Sequence, residues 1–328
     1  MTVLLNDDTV RHLLDPLRLV EEIEHAVRGE TARPSVVPER LNLAAGGRFL
    51  RVMPAVVPGS GVMGLKTFFG GGPAGVRYVV VLISIESGEV LSVLDACYLT
   101  AARTAATSAV AARALGVKAE TLGVLGSGLE AEAHVRTFAA IDDVRKVCVF
   151  SPNPETRRRF ADRMAAELGI EVVPVGSAAE ACADVEHLIT ATNTGYGGPT
   201  ACESAWIPAG VHLTAIGSTH QDLRELETAV LRRADVLVFD AEPGQIAGES
   251  GDVRAFVGEG GRLDHVFQLD ALLQGRADLP VEPRELTIFK SVGTALQDMV
   301  AADLAYRLAC EAGAGEHRNP IALPKSRR

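Results

Sequence analysis

The sequence predicts an α/β protein in which a doubly wound parallel sheet is joined to a smaller, strand-rich α+β domain. Three observations carry that prediction. A short apolar run ends in Gly126-Ser127-Gly128, with the small residue Ala131 three positions further on. From there to Phe239, apolar strand-like runs alternate with helical segments, the pattern of a parallel sheet covered by helices. Ahead of it, strand-like runs follow one another directly, in antiparallel style.

Taken in order, Asn6-Asp7-Asp8 caps an opening helix. Asp15-Pro16 starts the next, which carries Leu19, Ile23, Ala26 and Val27 on one face. A loop rich in Pro and Arg runs from Arg33 to Arg40. Leu41 to Pro58 alternates apolar and polar residues as a strand does, and Val62 to Phe68 is a further strand before the Gly-rich stretch Gly70 to Gly75. Tyr78 to Glu86 and Val90 to Asp95 flank Ser87-Gly88 as a hairpin. Leu99 to Leu115 is an Ala-rich helix whose small residues let it pack closely on all sides. Arg103 stands out there, because an apolar helix rarely keeps a guanidinium unless an anion faces it. The plainer alternative is an Arg snorkelling to the surface.

The strand Thr121 to Leu125 leads into the G-x-G-x-x-A form of a dinucleotide fingerprint. Gly126 permits the tight turn, Gly128 lets backbone approach a pyrophosphate, and Ala131 lets the helix Leu129 to Ala140 pack against the strand. Ser127, Leu129 and Glu130 form the N-terminal edge, where unpaired N–H groups favour phosphate. A lone fingerprint is weak evidence, so the context matters. Strands at Lys146 to Phe150, Glu171 to Val175, His187 to Ala191, Val211 to Ile216 and Val236 to Phe239, with helices at Arg157 to Leu168 and Ala178 to Asp184, make this a Rossmann-type unit. Its ligand belongs at the carboxyl ends of the strands. Thr287 to Gly293 leads into a helix, Thr294 to Cys310, expected to return to the first domain. The boundaries read from this are 119–295 for the NAD(P)-binding domain and 1–118 with 296–328 for the other.

The choice of nucleotide is a question of charge. An NAD site places a carboxylate at the end of the second strand to bind the ribose hydroxyls. Here that strand ends Val149-Phe150-Ser151-Pro152-Asn153, and Arg157, Arg158 and Arg159 follow. Ser151, Asn153 and Arg157 suit a 2′-phosphate, so NADP is preferred to NAD, although an Arg triplet is also an ordinary solvated helix face.

With 328 residues, 47% of them hydrophobic and 23% charged, the composition is that of a soluble globular protein. A net charge of −10 argues against a nucleic-acid partner. The apolar runs are too short for a bilayer, so no membrane partner is expected. The N-terminus lacks the features of a signal peptide. Five scattered cysteines without C-x-x-C pairing suggest reduced thiols, a cytoplasmic setting and no metal site.

Four cations, Arg40, Arg51, Lys66 and Arg103, sit in or beside the strand-rich half. Each alone is as well explained as a surface charge. Together they suit a small carboxylate, which Arg holds in bidentate fashion. A Lys whose pKa is lowered by burial and cationic neighbours can in addition shuttle a proton. Hydride transfer at a carbon bearing nitrogen needs both functions.

The chain resembles the ornithine cyclodeaminase/mu-crystallin family along nearly its whole length. The residues that carry the likeness are Arg51-Val-Met-Pro54, Gly64-Leu-Lys66, Leu99-Thr-Ala-Ala-Arg-Thr-Ala-Ala-Thr-Ser-Ala109, Gly123-Val-Leu-Gly-Ser-Gly128, Ala215-Ile-Gly217 with Arg224-Glu-Leu226, and Phe289-Lys-Ser-Val-Gly293. The resemblance implies a homodimer pairing through the first domain, which is then a substrate-binding and dimerisation domain, and an active site between the two domains. It assigns Arg40, Lys66 and Arg103 to the substrate carboxylate and nitrogen, with Arg51 and Val292 also in the substrate set. Lys66 and Arg103 are the implied catalytic pair. Arg103, Thr104, Thr192, Gly217, Ser218 and Ser291 join the fingerprint residues as cofactor contacts.

One departure matters. Cyclodeaminases of the family carry an Asp just after the Gly that follows the strand ending at Ile216, whereas this chain reads Gly217-Ser-Thr-His-Gln-Asp222. A hydroxyl cannot replace a carboxylate beside an ammonium. His220 and Asp222 are the candidate substitutes. The expected activity is therefore NAD(P)H-dependent reduction of a C=N bond α to a carboxylate, giving an α-amino acid from a small imino acid. An ornithine cyclodeaminase-type lyase, an amino acid dehydrogenase and an NADPH-dependent binding protein are the alternatives.

Overall fold

The chain opens on a strand that its sequence does not announce, β1 (Thr2–Leu5). The computed structural model describes residues 1–30, 32–71, 75–280 and 284–322. It divides into two compact units, Met1–Arg103 with Thr294–Arg328, and Thr104–Gly293. The first boundary therefore falls inside a helix, whereas the expected one followed that helix at residue 118.

In the first unit, Asn6 caps α1 (Asp7–Leu13) by accepting from the Thr9 amide. Asp15 caps α2 (Pro16–Gly29) through the Arg18 amide, with Pro16 supplying a preset first helical residue. Leu41 to Pro58, read as one alternating run, is two strands, β2 (Leu41–Ala45) and β3 (Arg48–Val57). The break lies at Gly46 and Gly47, whose φ values of 56° and 71° belong to a tight hairpin turn. Next come β4 (Val62–Gly70), β5 (Val76–Ser84) and β6 (Val90–Asp95), then α3 (Cys97–Ala114). Gly72 to Ala74 of the expected Gly-rich loop lie outside the described residues. The antiparallel expectation holds for β2 through β6, but β1 runs parallel to β6.

The second unit carries β7 (Thr121–Leu125), α4 (Leu129–Ile141), β8 (Lys146–Phe150), α5 (Pro154–Leu168), β9 (Glu171–Pro174), α6 (Ala178–Cys182) and β10 (His187–Thr190). It continues through β11 (Val211–Ala215), α7 (Thr228–Arg232), β12 (Val236–Phe239), α8 (Pro243–Glu249), α9 (Gly251–Gly258), β13 (Val266–Gln268), α10 (Leu269–Leu273) and β14 (Leu286–Lys290). One expectation needs correction here. Helix α5 starts at Pro154 rather than Arg157, because Asn153 caps it by accepting from the Glu155 and Thr156 amides. Gln245 to Gly251 is helical except at Ser250, which caps α9.

The chain then returns to the first unit as α11 (Ala295–Ala312) and β15 (Glu316–Arg318). That unit holds a seven-stranded sheet in the order β15-β1-β6-β5-β4-β3-β2. Helix α11 packs on β3, β4 and β5. A side chain on Gly64 would strike the Val81 carbonyl and crowd Met299 of that helix. The second unit holds an eight-stranded sheet, order β13-β12-β14-β11-β10-β7-β8-β9, parallel throughout. From β7 the chain builds outward to β8 and β9, then comes back to add β10 on the other flank. That reversal is the topological switch point, where ligands of such sheets bind.

Candidate functional site

In the first unit a cationic cluster forms around one buried carboxylate. Strand β3 alternates Arg51, Met53, Ala55 and Val57 on the face that meets α11. Strand register places Lys66 beside Met53 and Phe68 beside Arg51 on that same face. Lys66 is 1% exposed, Arg103 4%, Arg40 8% and Asp298 0%. The Lys66 Nζ donates to Asp298 Oδ1 at 2.8 Å, and Arg103 Nε donates to the same oxygen at 2.9 Å. Arg103 Nη1 also reaches Gln297 Oε1 at 2.7 Å, an oxygen that accepts from the Thr294 amide at 3.3 Å. The first turn of α11 thus holds a lysine from β4 and an arginine from α3 in one geometry.

Such burial is costly for an ammonium. Burial first, then the neighbouring Arg103 guanidinium, push the Lys66 pKa down to about 7; Asp298 pulls against them, and Arg40 adds to the fall. A lysine poised there can hold or release a proton at neutral pH. Asp298 Oδ2 makes no hydrogen bond in this arrangement. Arg51 is half-buried and lies over aromatic rings, 5.7 Å from the Phe49 centroid and 5.5 Å from that of Phe68. Sequence reasoning found the cations but missed Gln297 and Asp298. The signal was present: Gln297-Asp298 interrupts the apolar start of the helix, between Ala295-Leu296 and Met299-Val300-Ala301-Ala302, the same anomaly that marks Arg103.

In the second unit the fingerprint edge has the geometry a dinucleotide needs. Gly126 has φ 117°, and a Cβ there would collide with the Ala191 carbonyl. Gly128 caps α4 without a side-chain bond and faces open space, while Ala131 is fully buried. The N-terminus of a thirteen-residue helix (Leu129–Ile141) therefore has no side-chain cap from Gly128, and its first turn fits a pyrophosphate. At the end of β8, Ser127 Oγ donates to Ser151 Oγ at 2.9 Å. Arg157 Nη1 donates to the Ser151 carbonyl at 2.7 Å, with its guanidinium 5.0 Å from the Phe150 ring centre. Asn153 spends its acceptor oxygen on capping α5, which leaves the donor end of its amide out of the cap.

The loops after β10, β11 and β14 are fixed by two carboxylates, the buried Glu225 and the half-buried Asp240. Glu225 accepts from Thr192 N and Oγ1 and from Gly217 N. Asp240 accepts from Ser291 Oγ at 2.6 Å and from the amides of Val292 and Gly293 at 3.1 and 3.0 Å. Thr104 is buried, and its carbonyl accepts from Ser108. Ser218 departs from its expected role in one respect: the hydroxyl is fully buried, donating to the Leu223 carbonyl at 2.5 Å and lying 3.1 Å from Ser250 Oγ. It secures its own loop. His220 and Asp222 lie on the same loop, with the carboxylate largely exposed and 3.5 Å from the imidazole.

The Ornithine cyclodeaminase/mu-crystallin family model matches residues 2–312. Among solved structures, the chain is similar to a Delta(1)-pyrroline-2-carboxylate reductase from Thermococcus litoralis in complex with NADH and L-proline. That likeness has a TM-score of 0.89 and 27% identity, covering 96% of this chain and 100% of that one. It is also similar to an archaeal alanine dehydrogenase dimer with bound NAD, with a TM-score of 0.85, 25% identity, and coverage of 96% and 98%. Among curated proteins, a Delta(1)-pyrroline-2-carboxylate reductase of Bacillus cereus is 28% identical over 317 residues, or 93% of this chain and 96% of that protein.

Proposed function

The chain belongs to the ornithine cyclodeaminase/mu-crystallin family, and from that premise we propose that it reduces a C=N bond α to a carboxylate, forming an α-amino acid. The observation that carries this reading is the buried Lys66–Asp298–Arg103 cluster. A bound nicotinamide dinucleotide supplies the hydride. Arg40 and Arg103 bind the substrate carboxylate, Arg103 being held in place by Asp298 and Gln297. Lys66 delivers a proton from Nζ to the imine nitrogen, which makes the adjacent carbon the better hydride acceptor. Hydride on carbon and proton on nitrogen complete the amine. Arg51, over the rings of Phe49 and Phe68, borders the substrate side chain, as does Val292.

The loop after β11 favours reduction over cyclodeamination. A cyclodeaminase uses a carboxylate there, whereas Ser218 is sealed inside its loop and Asp222 points to solvent. The Gly126-to-Glu130 edge, Thr104, Thr192, Gly217 and Ser291 hold the dinucleotide. Ser151, Asn153 and Arg157 favour a 2′-phosphate, since no acidic residue ends β8.

A spectrophotometric panel tests the whole reading. NADPH oxidation is expected with pyrroline- or piperideine-2-carboxylate, with a lower KM for NADPH than for NADH. Ammonia release from ornithine without net change in nicotinamide absorbance would instead identify a cyclodeaminase. Equal use of NADH would remove the 2′-phosphate assignment alone.

The sheet of the first unit also supports a homodimer. Its face opposite α11 carries Leu43, Leu50 and Phe69 in register across β2, β3 and β4, and they are 50%, 37% and 37% exposed. Val56, on the same face, is 36% exposed. An apolar sheet face of this kind marks an interaction site. Sedimentation equilibrium should give a dimer for the wild type and a monomer for the Leu50→Asp/Phe69→Asp double variant. A monomeric wild type would refute the assignment.

A further inference from the structure

Glu225 is 1% exposed, yet four hydrogen-bond donors converge on its carboxylate. Oε1 accepts from the Thr192 amide at 2.7 Å and from Thr192 Oγ1 at 2.8 Å. Oε2 accepts from the Gly217 amide at 2.6 Å and from Thr190 Oγ1 at 3.2 Å. The loops that leave two neighbouring strands, β10 and β11, therefore meet on one side chain. Gly217 fits that side chain closely, since a Cβ there would strike both the Glu225 carboxylate and the Thr192 carbonyl.

The backbone behind the carboxylate is braced as well. Asp252, 0% exposed, accepts from the Glu225 and Leu226 amides at 2.8 and 3.0 Å through Oδ1. Its Oδ2 lies 3.5 Å from Lys290 Nζ, and Lys290 donates to the Ala215 carbonyl at the end of β11 at 3.3 Å. A charged triad sealed from water in this way is expensive unless its geometry fixes something. What it fixes here is the carboxyl edge of β10 and β11. The second-strand ribose site lies at the end of β8, on the far side of the switch point, so the β10–β11 edge faces the nicotinamide half of a dinucleotide.

We propose that Glu225 is a positioning residue that locks the Thr192 and Gly217 loops into a single edge for the nicotinamide half of the cofactor, with Asp252 and Lys290 holding the lock in place. The proposal rests on the dinucleotide reading above. It makes a chemical demand that a merely space-filling residue would not. All four partners are donors, so the side chain must offer two acceptor oxygens. An amide offers one. If the oxygen of a Gln faces Thr192, its NH2 opposes the Gly217 N–H, and the β11 loop is released while the β10 loop stays held.

The test compares wild type, Glu225→Gln and Thr192→Val in two measurements. Fluorescence titration gives the dissociation constants for NADH and NADPH, and hydrogen exchange on the cofactor-free protein follows the Thr192 and Gly217 amides. Glu225→Gln should weaken dinucleotide binding roughly 10- to 100-fold, the effect of leaving one buried partner unmade, and should speed Gly217 exchange by a similar factor. Exchange in the core of β11 should not change. Thr192→Val removes one donor and leaves the carboxylate in place, so about a 3- to 10-fold loss of affinity is expected. It serves as the readout should Glu225→Gln fail to fold. Wild-type affinity and wild-type Gly217 exchange in Glu225→Gln would overturn the proposal. A wild type that binds neither dinucleotide, alongside faster Gly217 exchange in the variant, would sink the cofactor reading while the lock between the loops stands.

Discussion

Lys66→Met is expected to lower kcat/KM for imine reduction by about 10²- to 10⁴-fold, the range for loss of a positioned general acid. Dinucleotide affinity should stay at the wild-type value, because Lys66 belongs to the first unit and the dinucleotide fingerprint to the second. The pH dependence makes the prediction sharper. Reduction consumes a proton, so it needs Lys66 charged, and with its pKa near 7 the rate should fall as pH rises through neutrality. The reverse oxidation needs the neutral amine and should gain over the same interval. Asp298 pulls the Lys66 pKa upward. Asp298→Asn should therefore move the falling limb of the reduction profile to lower pH, in addition to slowing the reaction. A full pH–rate profile of each variant checks this. A limb that stays fixed in Asp298→Asn would mean that the titrating group is not Lys66.

How much of this arrangement could be read from the sequence depends on the range of the forces involved. The fingerprint was legible because its signals are local: Gly126 must take a positive φ, Gly128 must be open and Ala131 must be small. The alternating strands and helices of the second unit were legible from periodicity. Strand β1 was not, because its burial depends on pairing with β6 and β15, which lie far away in sequence. The break between β2 and β3 was missed because alternation continues through the turn, and only Gly46-Gly47 marks it.

The site divides along the same line. Cations draw notice in an apolar segment, so Arg40, Lys66 and Arg103 were found. The carboxylates that hold them and the loops in position, Glu225, Asp240, Asp252 and Asp298, were not assigned roles. A carboxylate in a sequence reads as solvated surface until three-dimensional contacts reveal that its partners are backbone amides and buried cations. Glu225 stands inside the Arg224-Glu-Leu226 motif. Nothing local distinguishes a glutamate that gathers two loops from one that faces water.

The second large effect is expected in stability at acid pH, from a row of buried histidines in the second unit. His134 and His187 are 0% exposed and His212 is 1% exposed. The His187 ring meets Phe138 at 4.4 Å and His212 at 4.8 Å. Their polar contacts are neutral: His134 with Ser108 and the Glu130 carbonyl, His187 with Thr214, His212 with Thr287. Burial pushes His134 down to about 4 and His212 down to about 3, and it holds His187 well below the usual imidazole range, with the neighbouring rings adding to the fall. The unfolded chain binds these protons near 6.5 and the folded one does not, so stability is complete above that value and is lost as pH falls below it. At about pH 5 each ring costs about 2 kcal/mol by this linkage, against a typical total of about 5–15 kcal/mol. Glu225 works in the opposite sense: burial pushes its pKa up to about 7, so protonating it in acid favours the folded state. The net slope therefore mixes signs, and a single-site difference is the cleaner measurement. His212→Asn retains a polar contact to Thr287 and does not titrate. Urea unfolding at about pH 7.5 and at about pH 5 should show the acid loss of stability to be about 2 kcal/mol smaller in this variant than in the wild type. An identical loss in the two proteins would mean that His212 takes up its proton without unfolding, and that the buried row does not set the acid limit of the fold.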